Sequence, residues 1–212
     1  MNQVQDNRGR YATKDPADIE KISWTYWDRQ TVTSGTTTVL NFFQAVPANK
    51  LLGNIPLAGQ LPSDQDFEIH NIRFDLVSDA GVFSPEAVNA DPSTLGDALH
   101  DLEQIIMNGF GTIRIQNKDY GEWPLKMLPA GGGPWGAMSL ASGATAATFG
   151  ALTLARNGVP DARNVYVLRP PLMIPAQTNF LVRAEWPTAP TLRGGNQAVE
   201  FSLDGIIYRP KQ

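Results

Sequence analysis

Apolar and polar residues alternate with a period of two along much of this chain. The alternation is cleanest between Thr178 and Trp186, where Phe180, Val182, Ala184 and Trp186 fall on one side and Asn179, Leu181, Arg183 and Glu185 on the other. A strand sends successive side chains to opposite faces, so the first set belongs in a core and the second meets solvent or a neighbour. Pro175 and Pro187 bracket the stretch. Proline has no N–H to give a sheet ladder, so the pair marks where the strand begins and stops. The same reading predicts strands over Trp24–Thr33, Thr36–Ala45, Phe67–Ser78, Phe110–Gln116, Trp123–Leu128, Gly150–Ala155, Asn164–Arg169 and Ala198–Tyr208. Turn signals separate most of them, among them Ser34-Gly35, the run from Asn117 to Gly121, and Arg193-Gly194-Gly195-Asn196.

The helical period is found in one place. Asp91 is suited to cap, Pro92 to the first helical position, and Leu95, Ala98, Leu99, Leu102, Ile105 and Ile106 recur at helical spacing before Asn108-Gly109. A chain of short strands with one inserted helix, about residues 92–108, argues for an all-β class, an antiparallel β-sandwich or barrel. The helix is expected across a sheet edge or a barrel mouth. Residues 1–22 are polar and aperiodic and read as a flexible N-terminal arm, leaving 23–212 as a single domain.

Composition narrows the class further. A chain of 212 residues buries roughly 70% of its unfolded surface on folding, enough for a core without staples. It contains no cysteine, which excludes disulfides and thiolate metal sites. No apolar run suggests a signal peptide or a membrane span, so a soluble, unprocessed chain is expected. The net charge of −4 is unevenly placed: up to residue 150 there are 10 Lys/Arg against 17 Asp/Glu, and after it 7 against 4. Arg8, Arg10, Lys14 and Lys21 are interleaved with Asp6, Asp15, Asp18 and Glu20. A nucleic-acid groove needs an unbalanced basic patch, so direct nucleic-acid binding is not expected. The asymmetry suits association between copies.

Chemistry-bearing motifs are scarce. His70 and His100 are the only histidines, and neither makes a metal motif with the other or with nearby carboxylates. There is no Gly-x-Ser-x-Gly elbow, and Gly131-Gly132-Gly133 lacks the lysine of a phosphate loop. No catalytic, cofactor or metal site is expected. Asp64, Asp66 and Glu68 alternate in a way that suits either a shared calcium ion or the solvent face of a strand. Trp24, Tyr26 and Trp27 suit an aromatic platform, and equally a core or a subunit contact. The segment Pro129–Gly150, rich in Gly, Ala, Ser and Thr, fits a mobile excursion or a surface packed on a neighbour, and Trp135 favours the second.

The C-terminal run LRPPLMIPAQTNFLVRAEWP, a Gly-rich turn, and the closing VEFSLDGIIYRPKQ resemble the last strands of jelly-roll capsid proteins from tailless icosahedral bacteriophages. The resemblance covers the C-terminal part of the chain and rests on a pattern of strands and prolines. It implies a jelly-roll barrel whose role is to associate, with copies of itself and with other capsid proteins, in a virion built in the host cytoplasm. On that reading the arm with Arg8 and Arg10, the loop 129–149 with Trp135, the strand pair Arg183 and Glu185, and the tail from Arg209 supply the contacts. Two other roles carry different expectations. A decoration or receptor-binding protein would take glycans through Trp24, Trp27 or Trp135, and a sandwich enzyme would need paired carboxylates across a cleft.

Overall fold

The computed structural model describes residues 18–77, 92–128, 135–137, 154–156 and 165–211. Its elements in chain order are β1 (Ile19–Val32), β2 (Val39–Phe42), β3 (Asp66–Val77), α1 (Pro92–Asn108), β4 (Phe110–Ile115), β5 (Lys118–Pro124), a 3₁₀ turn (Leu125–Met127), β6 (Trp135–Ala137), β7 (Leu154–Arg156), β8 (Tyr166–Ile174), β9 (Phe180–Glu185) and β10 (Gln197–Pro210). Two four-stranded sheets form, in the orders β1-β10-β3-β8 (sheet A) and β2-β9-β4-β5 (sheet B), with β6 and β7 as a separate ribbon. Every pairing is antiparallel.

The wiring has a simple rule. Without the ribbon, the first strand pairs with the last (β1 with β10), the second with the second-last (β2 with β9), the third with the third-last (β3 with β8), and the middle two form a hairpin (β4 with β5). One long hairpin rolled onto itself gives these pairs, which is the jelly-roll arrangement of an antiparallel β-sandwich. The all-β class with one inserted helix is therefore as the alternation predicts.

Inward residues of both sheets meet in one core. Phe201 of β10 lies edge-on to Phe42 of β2 at 4.9 Å between ring centroids and packs at 4.9 Å on Phe74 of β3, so one side chain couples the two sheets. In β9, Phe180, Val182 and Ala184 are buried while Leu181, Arg183 and Glu185 are partly exposed, as their alternation requires. Trp186 is buried just beyond, its indole Nε1 donating to the carbonyl of Ile105 in α1 at 2.9 Å. This bond and the packing of Ile105, Leu102 and Ile106 on the core hold α1 at the end of the sandwich where β9 stops and β4 starts. Helix bounds match the spacing; Asp91 and the side chains of Leu95, Ala98 and Leu99 lie outside the described residues.

Several boundaries move for identifiable reasons. β1 begins at Ile19, inside the segment read as arm, because β10 runs to Pro210 and offers Ile19–Ile22 a partner, and because Ile19 packs beside Tyr208. The predicted strand at Thr36–Ala45 contracts to Val39–Phe42: Gly35 turns with φ +66°, and Phe43 leaves the strand at φ +65°. The hairpin turn after β4 is Gln116-Asn117, with Gln116 at φ +55°, so β5 occupies much of the predicted turn, and Leu125–Met127, predicted as strand, forms the 3₁₀ turn. β8 continues through Pro170 and Pro171 where the alternation stops at Arg169. It is the outermost strand of sheet A, where the missing N–H groups break no second ladder.

One close approach is tight enough to test. β10 shifts register against β3 between Asp204 and Gly205, and a Cβ on Gly205 would sit on the carbonyl of Glu68, inside contact distance. Gly205→Ala is expected to lower stability by about 3 kcal/mol, the upper end of the cost of overpacking, read as a shift in urea midpoint with an unchanged slope.

Candidate functional site

The residues expected to carry contacts are dispersed. Arg183 and Glu185 stand together on the outer face of sheet B, Nη1 to Oε1 at 2.7 Å, and one strand further on Arg114 grips Asp119 with two bonds of 2.6 and 2.8 Å. The hydrogen bond from Arg114 holds the Asp119 carboxyl below its ordinary range, and Asp119 in turn raises the guanidinium. Arg209 lies on the other sheet, its Nε donating to Glu20 at 2.8 Å. The tail is thus strand up to Pro210, with the Lys211 N–H bonded to the Asp18 carbonyl at 3.0 Å. Arg8 and Arg10 lie outside the described residues. Trp135 opens the short strand β6 and pairs with Arg156 in β7; its side chain, and most of the loop 129–149, lie outside them.

Sheet A presents a ladder of paired charges. Arg73 binds Asp204 through Nε at 2.8 Å and Nη2 at 2.7 Å, the Thr25 hydroxyl donates to the same carboxylate at 2.7 Å, and Arg29 reaches Glu200 at 3.3 Å. The alternating acids Asp64, Asp66 and Glu68 are not gathered around a common point. Asp66 is fully buried and accepts the Ala176 N–H at 2.8 Å, and Glu68 accepts the Tyr208 hydroxyl. Burial first, and then the Glu68 carboxylate, push the Tyr208 phenol up to about 12. Among the described residues no cluster of His, Asp and Glu is arranged to hold a metal ion. His70 stands beside Glu68, Nε2 to Oε2 at 3.6 Å, and His100 beside Asp101, Nδ1 to Oδ1 at 3.4 Å.

Two buried carboxylates that the alternation does not single out anchor the loops. Asp101 of α1 is fully buried and accepts the backbone N–H of Arg193 at 2.6 Å and of Gly194 at 2.8 Å, with the Gln197 amide at 3.2 Å. It ties the helix to the turn before β10. Asp28 of β1 accepts the N–H of Phe43 and the Gln30 amide, fixing the left-handed residue that ends β2. Desolvation raises the Asp28 carboxyl above its usual 3.8, against the bonds it accepts.

Among the described residues, the most exposed large apolar side chain, Leu51, lies in the segment that borders the edge of β1. The segment after β2 folds back on this edge: Arg29 N–H bonds to the Leu52 carbonyl at 2.8 Å, Asn54 N–H to the Trp27 carbonyl at 3.1 Å, and the Asn54 side chain bonds both the Trp27 N–H and the Thr25 carbonyl. Gly53 is required there, since a Cβ would lie 2.9 Å from the Trp27 carbonyl oxygen. Covering an edge this way blocks open-ended sheet pairing. The Asn49 side chain accepts the N–H of Leu51 at 2.9 Å and of Leu52 at 3.3 Å, a turn that holds Leu51 74% exposed. Beside it, Ser23, Trp24, Thr25 and Trp27 line a shallow depression of about 270 Å³. Trp24 is 43% exposed although Tyr26, on the same side of the strand, is buried. The turn signal in the sequence is Asn49 before Leu51-Leu52-Gly53; the leucines join no alternating run and escape a search by period.

A second apolar area lies at the C-terminal end of α1. Met107 and Phe110 are exposed there, and with Gln104, Asn108 and residues 187–191 they line a groove of about 500 Å³. Among the described residues the sandwich thus combines five arginine–carboxylate pairs made within the chain with large apolar side chains that stand exposed. No helix among the described residues is long and apolar enough to cross a membrane. Comparison with protein-family models and with characterised proteins finds no match to this chain.

The two anchors make separate predictions. Asp101→Ala is expected to destabilise by about 2–3 kcal/mol, the cost of losing charge-assisted hydrogen bonds, in chemical denaturation. For Asp28, the folded state holds its proton above pH 3.8 where the unfolded state has lost it, so its contribution falls as pH rises from 3.8 through the raised folded value. Asp28→Asn has no proton to lose. The melting temperature of this variant minus that of the wild type should therefore increase with pH across that window.

Proposed function

We propose that this chain is a capsid subunit of a bacteriophage, a structural protein that associates with copies of itself into an icosahedral shell and acts without catalysis. The observation that carries this reading is the outward presentation of large apolar side chains, Leu51 above all, on a jelly roll five of whose arginines are paired with its own carboxylates. Exposed apolar groups held rigidly mark association surfaces, because the ordering cost is met before the partner arrives. The rolled-hairpin wiring agrees with the arrangement implied by the C-terminal resemblance. A shell follows when many modest contacts close under symmetry, so no single interface needs to be large. Such a subunit is made in the host cytoplasm and carried in the virion.

A second reading has one observation in its favour. Trp24 stands partly exposed at a shallow depression that Ser23, Thr25 and Trp27 also line, and a sugar ring can stack on an aromatic face. In that case the chain is a receptor- or glycan-binding sandwich of the virion surface.

Light scattering coupled to size exclusion, across protein concentration and salt, separates the two, with negative-stain images of the same samples. The capsid reading expects a mass that grows with concentration to discrete oligomers or shell-like particles. A strict monomer at high concentration overturns it. Quenching of tryptophan fluorescence by soluble oligosaccharides in such a monomer would then support the second reading.

A further inference from the structure

We propose that the end of sheet B where the β4–β5 hairpin, the start of β9 and the segment after β2 meet is a binding site for one neutral sugar ring, held by the side chains of Gln44, Arg114, Gln116 and Asn179. The inference does not rest on the capsid reading, and the site shares no residue with the Trp24 depression.

These four side chains line a pocket of about 230 Å³, with Ala58 and Leu181 beside them. Backbone bonds stitch its walls together. The Gly59 N–H bonds to the Phe43 carbonyl at 2.6 Å, the Phe180 N–H to the Gly59 carbonyl at 2.9 Å, and the Gln116 N–H to the Asn179 carbonyl at 2.7 Å. The side chains are only half engaged. Gln44 Nε2 donates to the Phe180 carbonyl at 2.9 Å, Asn179 Oδ1 accepts the Gln60 amide, and Arg114 holds Asp119 through Nε and Nη2. Gln44 Oε1, Asn179 Nδ2, Arg114 Nη1 and the whole Gln116 carboxamide make no bond to the described residues.

The groups left over select the ligand by what they can exchange with it. A metal cation needs acceptors alone and an anion needs donors with a net positive charge, whereas here both kinds are mixed and the one ionisable lining residue, Arg114, is closed by Asp119. Hydroxyl groups both donate and accept, so several of them on one small body answer this set. The volume lies below the roughly 300–1,000 Å³ of sites for drug-sized ligands, which leaves room for a single ring. Ala58 and Leu181 give its C–H face an apolar surface. Gln116 supplies an independent reason. It stands at φ +55° in a two-residue hairpin turn, a left-handed conformation that glycine or asparagine takes most easily, and it is exposed, so packing does not ask for a long side chain there. A residue kept against its local backbone preference marks a position where the side chain serves a contact.

Saturation-transfer difference NMR on the full chain reads such binding whatever the size of the assembly. The probes are the methyl glycosides of glucose, galactose, mannose and N-acetylglucosamine, with N-methylacetamide standing in for a peptide group. At least one glycoside should give a saturable signal with a Kd in the millimolar range, as a single ring with a few hydrogen bonds allows. Gln116→Gly removes the carboxamide and relieves the backbone, so its melting temperature should equal or exceed that of the wild type while the Kd rises at least about tenfold. Asn179→Asp keeps the acceptor for Gln60 and replaces the Nδ2 donor, and should weaken the same sugar comparably. A preference for the methyl glycoside over the free reducing sugar assigns the ring to the end of a glycan, and the reverse assigns it to a free sugar; either supports the site. No saturable signal from any glycoside, a stronger signal from N-methylacetamide, or binding untouched by Gln116→Gly overturns it. Binding lost in Trp24→Ala and kept in Gln116→Gly moves the sugar to the β1 edge, which overturns this inference and supports the glycan reading of that depression.

Discussion

The pairing of the first strand with the last is the constraint on which the rest of this structure depends. Ile19–Val32 and Gln197–Pro210 run antiparallel over 14 residue pairs, from Ile19 opposite Pro210 to Val32 opposite Gln197. With the ends of the chain joined, β2 lies opposite β9 and β3 opposite β8, and the two sheets can close over Phe42, Phe74 and Phe201. This contact spans most of the chain, so its loop-closure entropy is offset only when the core forms with it. A jelly roll is in this sense cooperative from its ends inwards.

Closing two sheets leaves their ends and edges to be settled by polar groups. Asp101 does this for the helix, Asp28 for the corner after β2, and the Asn54 carboxamide for the open side of β1. Each places an acceptor, and for Asn54 a donor as well, where backbone groups would otherwise lack partners, a need that apolar packing cannot meet. The charged rows on the outer faces follow the same logic: Arg114 faces Asp119 across the ladder, Arg73 reaches Asp204 on the diagonal, and Arg183 and Glu185 pair two positions apart on β9. Large apolar side chains, Leu51 above all, stand exposed beside these pairs. The functional reading grows from that residue of surface, because groups already engaged internally have less to offer a second molecule.

Much of this was legible in the alternation itself. The inward set of β9, the bounds of α1 and the existence of β3, β4 and β10 follow from local periodicity and turn residues. Errors fall where a partner overrules local pattern. Ile19–Ile22 is polar enough to read as arm until β10 supplies a ladder, and Pro170-Pro171 reads as an ending until β8 is found at an edge. For the surface, Arg183 and Glu185 were visible as an outward pair, and the structure does place them together. Leu51 and Leu52 were not, since a turn that points leucines at solvent has no period to detect.

The sequence by itself determined the class of the fold, because the direction of a side chain along a strand is a property of each residue and its neighbours two positions away. Only the tertiary structure decided which strands meet, which acids are buried and which apolar groups stay outside. Those outcomes depend on contacts between residues such as Asp101 and Arg193, or Trp27 and Asn54, whose proximity exists only once the chain is rolled up.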